Sequence, residues 1–347
     1  MEIDGRRVLH RVSEPVETEY WVGCSSWLDA SLVAEGTFYP APRMTSEERL
    51  RWYARFFDCV EVNATYYALP SFHNSELWAA RTPPGFQFSV KAYALMTGHN
   101  PKADRLPKEV RALLPHPLPV TARGEIDRAQ FPKEAVDLCF EWFRDALKPL
   151  ADAGKLSYLL FQLAPWVGHS PKVLDYLGSL PERFPGWPIA VEFRNSSWIP
   201  RRTDEVLAFL ARTGLIYVCV DCPWQPFIPA VTHEWAVLRL HGRNVEGWQA
   251  QLKGRQPTVA EKYDYLYSPE ELEAMAHATR AFHQKARRVY TKFNNNTRDY
   301  PVRNGLALRR LLGQPTPDLG ALRAQFTPVA RRTSRRRGSG SSIRPAP

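Results

Sequence analysis

The stretch Cys59-Val60-Glu61-Val62-Asn63-Ala64-Thr65-Tyr66-Tyr67 decides the fold. Val60, Val62 and Ala64 alternate with Glu61, Asn63 and Thr65. This is the period-two pattern of a β-strand, with the two sets of side chains on opposite faces. An exposed antiparallel strand accounts for such alternation by placing the polar side in water. Here, however, a helix over 45–57 is expected just before the strand, with a capping box at Thr45 and Glu48 and an apolar stripe of Leu50, Tyr53, Ala54 and Phe57. A strand fed by a helix belongs to an α/β unit, whose sheet is covered on both faces. The polar row then lies inside the protein, where carboxylates and amides need partners.

The same arrangement recurs along the chain. Strands are expected over 20–27, 59–67, 87–92, 156–164, 189–194, 216–222, 236–241 and 289–294. Most are followed by a helix, such as the one opened by Ser268-Pro269-Glu270-Glu271, a capping box with Pro at the first helical position. Polar residues gather near the C-terminal ends of the strands: Lys91, Gln162, Glu192 with Arg194, Asp221, Arg239 with His241, and Asn294 with Asn296. An open doubly wound sheet concentrates its polar residues at one crevice. A ring of polar strand ends instead predicts a single α/β (β/α)8 TIM-like barrel, whose site lies at the C-terminal face. The expected domains are a polar leader over 1–19, the barrel over 20–312, and an Arg/Ser/Pro-rich disordered tail over 313–347. A long Pro-rich loop over 97–131 follows the third strand, and residues 242–267 read as a second long loop.

Charge is unevenly placed. The chain of 347 residues carries a net charge of +10, but seven Arg and no acid lie from Arg323 onward, and the rest is nearly balanced. The basic character therefore describes the tail rather than the body. No apolar run is long enough for a membrane span, and the leader lacks a signal-peptide core, so a cytoplasmic protein without a membrane partner is expected. Five Cys, an odd number, argue against a disulfide framework. Cys219 and Cys222 form a CxxC, but three positions apart on one strand they face opposite ways, so packing is expected rather than redox or zinc chemistry. The acidic set Glu61, Glu192 and Asp221 with the single His241 is carboxylate-rich, unlike a zinc site, and there is no GxGxxG or P-loop. Neither a metal nor a cofactor is expected.

Several segments, taken in order, resemble the YecE-like family, domain of unknown function 72. They are WVGCSSW from Trp21 with the later Phe38-Tyr39-Pro40, then Val60 to Pro70, Phe88-Ser89-Val90-Lys91-Ala92, and Leu160-Phe161-Gln162-Leu163. Further on come Ala190-Val191-Glu192-Phe193-Arg194 with Trp198, Leu238-Arg239-Leu240-His241-Gly242-Arg243-Asn244, Tyr263-Asp264-Tyr265-Leu266-Tyr267 and Phe293-Asn294-Asn295-Asn296. The resemblance spans about residues 20–312 and implies a TIM barrel; it implies no reaction. Two features depart from the pattern: Cys24-Ser25-Ser26 stands where Thr-Ser-Gly is expected, and the 97–131 segment is longer and richer in Pro.

The candidate catalytic residues are Glu192, as a proton-transfer group, and His241. The candidate ligand-binding residues are Glu61, Asn63, Lys91, Gln162, Arg194, Asp221, Arg239 and Asn294. Their chemistry points to a small polar or phosphorylated molecule held at the strand ends. The alternative is a nucleic-acid-binding or nucleic-acid-processing barrel, using aromatic residues after the strands (Trp27, Tyr66, Tyr67, Tyr93, Trp166, Trp198, Trp224, Trp248) and the basic tail. A purely structural salt-bridge network accounts for the same charged residues.

Overall fold

The computed structural model describes residues 17–252, 258–283 and 285–326. Eight parallel strands close into a barrel in sequence order: β1 (Glu19–Cys24), β2 (Cys59–Val62), β3 (Gln87–Lys91), β4 (Leu156–Gln162), β5 (Ile189–Glu192), β6 (Ile216–Asp221), β7 (Trp235–Leu240) and β8 (Arg288–Phe293). The barrel shuts where β1 pairs with β8, from Glu19 opposite Arg288 to Cys24 opposite Phe293. The (β/α)8 fold expected from the sequence is the fold observed. Each strand stops one or more residues short of its expected end, so Arg194, His241 and Asn294 stand just past the last ladder residue.

Period-two alternation divides the apolar residues between two sides of the sheet. Val60, Val62, Phe88, Val90, Leu159 and Phe161 join the large outer core against the helices. Tyr158, Leu160, Ala190, Val218, Val220, Val237 and Tyr290 form a separate cluster. They occupy the alternate strand positions, inside the barrel. Near the strand starts, Trp21, Tyr158 and Trp235 each lie 5.4–5.9 Å, centroid to centroid, from the Tyr290 ring and form an apolar floor. One and two steps higher the inward positions become polar: Glu61, Gln162, Glu192, Arg239 and Lys292. The CxxC follows the same rule. Cys219 packs in the outer core and Cys222 in the inner cluster, and burial pushes both thiols up to about 12.

Three segments hold more structure than their composition suggests. The 97–131 segment carries a helix at Lys108–Ala112 and isolated bridges joining Lys102 to Glu125 and Val120 to Ile126. The 242–267 segment, expected as a loop, contains helices Val245–Leu252 and Val259–Tyr263. A capping box of Thr258 and Glu261, visible in the sequence, starts the second of these. Beyond Pro315, where the pattern was expected to fade, Asp318 caps a helix at Leu319–Ala324, and Phe326 packs edge-on against Trp52 at 5.7 Å. The expected disorder after Phe326 and most of the leader lie outside the described residues. Among the described residues no helix is long and apolar enough to cross a membrane.

Gly23 permits the close approach of β1 to β2. A Cβ there would lie 2.2 Å from the Cys59 carbonyl oxygen. Gly23→Ala is therefore expected to force the two strands apart and destabilise the fold by about 1–3 kcal/mol. Urea denaturation measures this, and an unchanged midpoint would show that the strands accommodate a methyl group.

Candidate functional site

Arg239 is the hub of the barrel interior. Its side chain is 1% exposed, and its Nε and Nη2 donate to the two carboxylate oxygens of Glu61 at 3.1 and 2.7 Å. Its Nη1 donates to Glu192 and, at 3.3 Å, to the Gln162 amide oxygen. Glu192 is fully enclosed; its other oxygen accepts from Arg194 Nε at 2.8 Å. Arg194 Nη2 shares the Gln162 oxygen at 3.1 Å. The four side chains Glu61, Glu192, Arg239 and Arg194 thus balance one another, with Gln162 accepting from both cations. Such a set survives burial because each charge is paired and hydrogen-bonded.

His241 extends the network. Its Nε2 lies 3.4 Å from Glu192 Oε1, and its Nδ1 lies 2.8 Å from the Asn294 amide nitrogen. Asn296 donates to Asn294 Oδ1 at 3.4 Å, which orients the Asn294 amide with its NH2 toward His241. Nδ1 then accepts and the ring proton sits on Nε2, facing Glu192. Burial, with Arg239 and Arg194 nearby, outweighs Glu192 and lowers His241 to about 3, so the ring is neutral at physiological pH. Burial alone would raise Glu192, but Arg239, Arg194 and His241 outweigh it and hold the carboxyl well below its usual range.

Asp221 belongs to a second, adjoining cluster. Arg243 Nε and Nη2 clasp its carboxylate at 2.9–3.1 Å, and the Tyr267 hydroxyl donates to it at 2.6 Å. Arg243 Nη1 also reaches Glu271 at 3.0 Å. Gly242 makes the close packing here feasible: its φ is +85°, and a Cβ would lie 2.5 Å from that of Tyr265. Asn63 points elsewhere, donating to the Ser25 carbonyl at 2.8 Å. It lines a cavity of about 260 Å³ with Glu61, Ser26, Trp27 and Arg81. Among the described residues no group of three or more His, Cys, Asp or Glu side chains gathers as a metal site.

The mouth has an aromatic rim. Trp224 packs on His241 at 5.4 Å and on Trp248 at 4.3 Å, and the Arg194 guanidinium lies 5.1 Å from the Trp224 ring. These rings and Arg194 line a cavity of about 380 Å³ with Asn195, Ser196 and Gln225. On the other side, Lys91 Nζ sits 4.4 Å from the centroid of Tyr66, which leads through His99 to Trp166 at centroid spacings of 5.1 and 5.3 Å. Lys91 is partly exposed and makes no hydrogen bond or ion pair among the described residues.

The structure therefore joins Glu61, Gln162, Glu192, Arg194, Arg239, His241 and Asn294 directly. Asp221 stands next to them, Lys91 lies within their electrostatic field, and Asn63 shares a neighbouring cavity with Glu61. Glu192, Arg239 and His241 are sealed beneath the mouth, while Arg194 and Lys91 reach its surface. Sequence reasoning missed Tyr267, Glu271 and His99. The alternation of Tyr263, Tyr265 and Tyr267 was the available sign for the first.

Barrel and site together define a (β/α)8 protein with a buried ion-pair network in its interior and an aromatic C-terminal mouth. A family model described as "Protein of unknown function DUF72" matches residues 21–329, and the chain belongs to that family. It is 31% identical over 299 residues to the UPF0759 protein YunF of Bacillus subtilis (strain 168), covering 84% of this chain and 94% of that one. A DUF72 crystal structure from Thermotoga maritima superposes with a TM-score of 0.63 at 26% identity, covering 85% of this chain and 100% of that one. One from Enterococcus faecalis gives 0.66 at 23%, covering 86% and 98%, a likeness of fold.

Removing the hub should be costly. Arg239→Ala leaves Glu61 and Glu192 buried with one guanidinium fewer, a loss of about 3–5 kcal/mol for a broken buried pair. The pH dependence follows from Glu192. Its depressed folded pKa contributes stability above the unfolded value, near 4.3, which is lost as pH falls through the lower folded value. In Arg239→Met, acid unfolding should therefore begin at a higher pH than in the wild type. Urea titrations across the acid range check both, and coincident profiles would contradict the pairing.

Proposed function

We propose that the barrel mouth binds a small anionic molecule, phosphorylated or carboxylated, and that Arg194 is the group that meets its charge. The observation that carries this reading is the state of Arg194. Glu192 and Gln162 hold its Nε and Nη2, while its Nη1 makes no hydrogen bond among the described residues. Its side chain is 11% exposed and lines the 380 Å³ cavity beside Trp224 and Trp248. A guanidinium fixed on one edge and open on the other is prepared for an oxyanion. Arg239, by contrast, has its donors committed to Glu61, Glu192 and Gln162.

In this reading the candidate catalytic pair, Glu192 and His241, acts from behind the cavity wall. Glu192 aims Arg194, and the neutral His241 places Nε2 3.4 Å from Glu192 without forming a hydrogen bond. A proton leaving the ligand reaches Glu192 only if Arg194 shifts its hydrogen bond to the incoming anion. Asn195, Ser196 and Gln225 supply uncharged donors and acceptors around the ligand, and the Trp rings cover its apolar faces. A nucleic-acid reading draws on Trp166 and Tyr67, 66% and 61% exposed, which offer stacking surfaces for unpaired bases.

Calorimetric titration with inorganic phosphate, glyceraldehyde 3-phosphate and a short single-stranded oligonucleotide separates the two. The anion reading expects Arg194→Met to weaken glyceraldehyde 3-phosphate by roughly tenfold to a hundredfold, the worth of a charged hydrogen bond. Equal affinity in wild type and variant would overturn it. Tight, salt-sensitive oligonucleotide binding that Trp166→Ala abolishes would favour nucleic acid instead.

A further inference from the structure

Among the described residues, Lys91 and Lys292 are the charged groups inside the barrel that no carboxylate meets; Lys292 is fully enclosed over Tyr290, whereas Lys91 is partly exposed at the mouth. Glu61, Glu192, Arg194 and Arg239 are bound to one another, whereas Lys91 Nζ has no carboxylate partner and contacts the Tyr66 ring face. It occupies the last residue of β3, held by a Thr65 hydroxyl that donates to its carbonyl at 2.6 Å. The groups that face it are known from each neighbouring element. Glu61 comes from β2, Glu192 from β5, Arg194 from just beyond β5, Arg239 from β7, and Tyr66 and His99 from the loops beside β3. Both carboxylates are already claimed by guanidiniums, and neither pairs directly with Lys91.

An amine desolvated by burial and set beside two guanidiniums loses its proton readily, although the Tyr66 ring face favours the ammonium form. Burial comes first, then Arg239 and Arg194; against the weaker pull of Glu192 and Glu61 they lower Lys91 to about 7. Burial likewise lowers His99 to about 4, so the His99 ring adds no further cation at neutral pH. Lys91 is thus a poor permanent anion binder, although the sequence suggests that role. It remains partly exposed, so its lone pair is reachable from the mouth.

We infer that Lys91 is a nucleophilic amine that forms an imine with an aldehyde or ketone, and that the anionic ligand of this site carries such a carbonyl. The inference rests on the anion-binding reading for the charge of the ligand but not for the reactivity of the amine. The steps balance without any oxidant or reductant. The Nζ lone pair attacks the carbonyl carbon, and the C=O π pair moves to oxygen. A proton passes from nitrogen to that oxygen, giving a carbinolamine. A second proton, taken from solvent, allows the hydroxyl to leave as water, and the nitrogen lone pair forms a C=N bond that carries the positive charge. Glu61 and Glu192 lie near enough to stabilise that charge.

The test is reductive trapping on the full chain. Wild type, Lys91→Met and Arg194→Met proteins are incubated near neutral pH with glyceraldehyde 3-phosphate or with uncharged glyceraldehyde. Cyanoborohydride is present, and labelled lysines are mapped by mass spectrometry. Lys91 should be labelled on the order of tenfold faster than an open lysine such as Lys108, because far more of it is neutral. Its rate should level off above about pH 7. Labelling of Lys91 no faster than Lys108 with either aldehyde would overturn the inference, even if the phosphate binds by calorimetry. If both aldehydes label Lys91 selectively and equally, and Arg194→Met changes neither, the imine chemistry stands and the anion reading fails. Lys91→Met should lose the selective adduct, and an undiminished adduct in that variant would place the reactive amine elsewhere.

Discussion

The structure depends on one buried guanidinium. Arg239 lies inside a closed sheet, above an aromatic floor and out of contact with water, where an unpaired charge costs several kcal/mol. It is tolerated because Glu61 meets it as a fork and Glu192 and Gln162 accept its remaining donor. Glu61 sits on β2 and Arg239 on β7, strands that are not neighbours around the barrel. Only closure of the sheet brings them together. The network and the barrel thus require each other: the fold positions the pair, and the pair lowers the cost of polar residues where a barrel interior is usually branched aliphatic.

From that constraint follows the division of the mouth. On the side of β6 and β7 every charge finds a partner, through Arg239 with Glu192 and through Arg243 with Asp221 and Glu271. Glu192 then serves two guanidiniums at once, and no carboxylate is in direct contact with Lys91 among the described residues. The unpaired amine and the open edge of Arg194 are consequences of the same shortage of carboxylate. A site built this way favours ligands that bring their own negative charge.

Much of the fold was legible in the sequence because alternation and helix caps are local signals. Val60-Glu61-Val62-Asn63 declared an inward polar row, and Ser268 to Glu271 declared a helix start. The site was legible in part for the same reason: inward positions near strand ends must meet in a closed barrel, which gathers Glu61, Gln162, Glu192, Arg239 and His241. What the sequence could not carry was partner choice. Asn63 reads like the other strand-end residues, yet its amide turns to the Ser25 carbonyl. Asp221 was grouped with Glu192 on position alone, but Arg243 and Tyr267, from the following loops, draw it into their own cluster. Lys91 and Arg194 look equivalent as cations in the sequence. They differ because Arg194 has two acceptors and Lys91 has none, a matter of side-chain geometry across four strands.

The central claim is that Glu192 is held ionised inside the barrel by the guanidiniums that surround it. Infrared spectroscopy tests it most directly, through the difference between wild type and Glu192→Gln followed as pH is lowered. The account predicts a carboxylate band assigned to Glu192 that persists well below the ordinary range of a glutamate, near 4.3, and vanishes only as the protein unfolds. A protonated carboxyl band that grows in at or above that range, in protein that is still folded, would contradict the paired interior on which the account of the mouth is built.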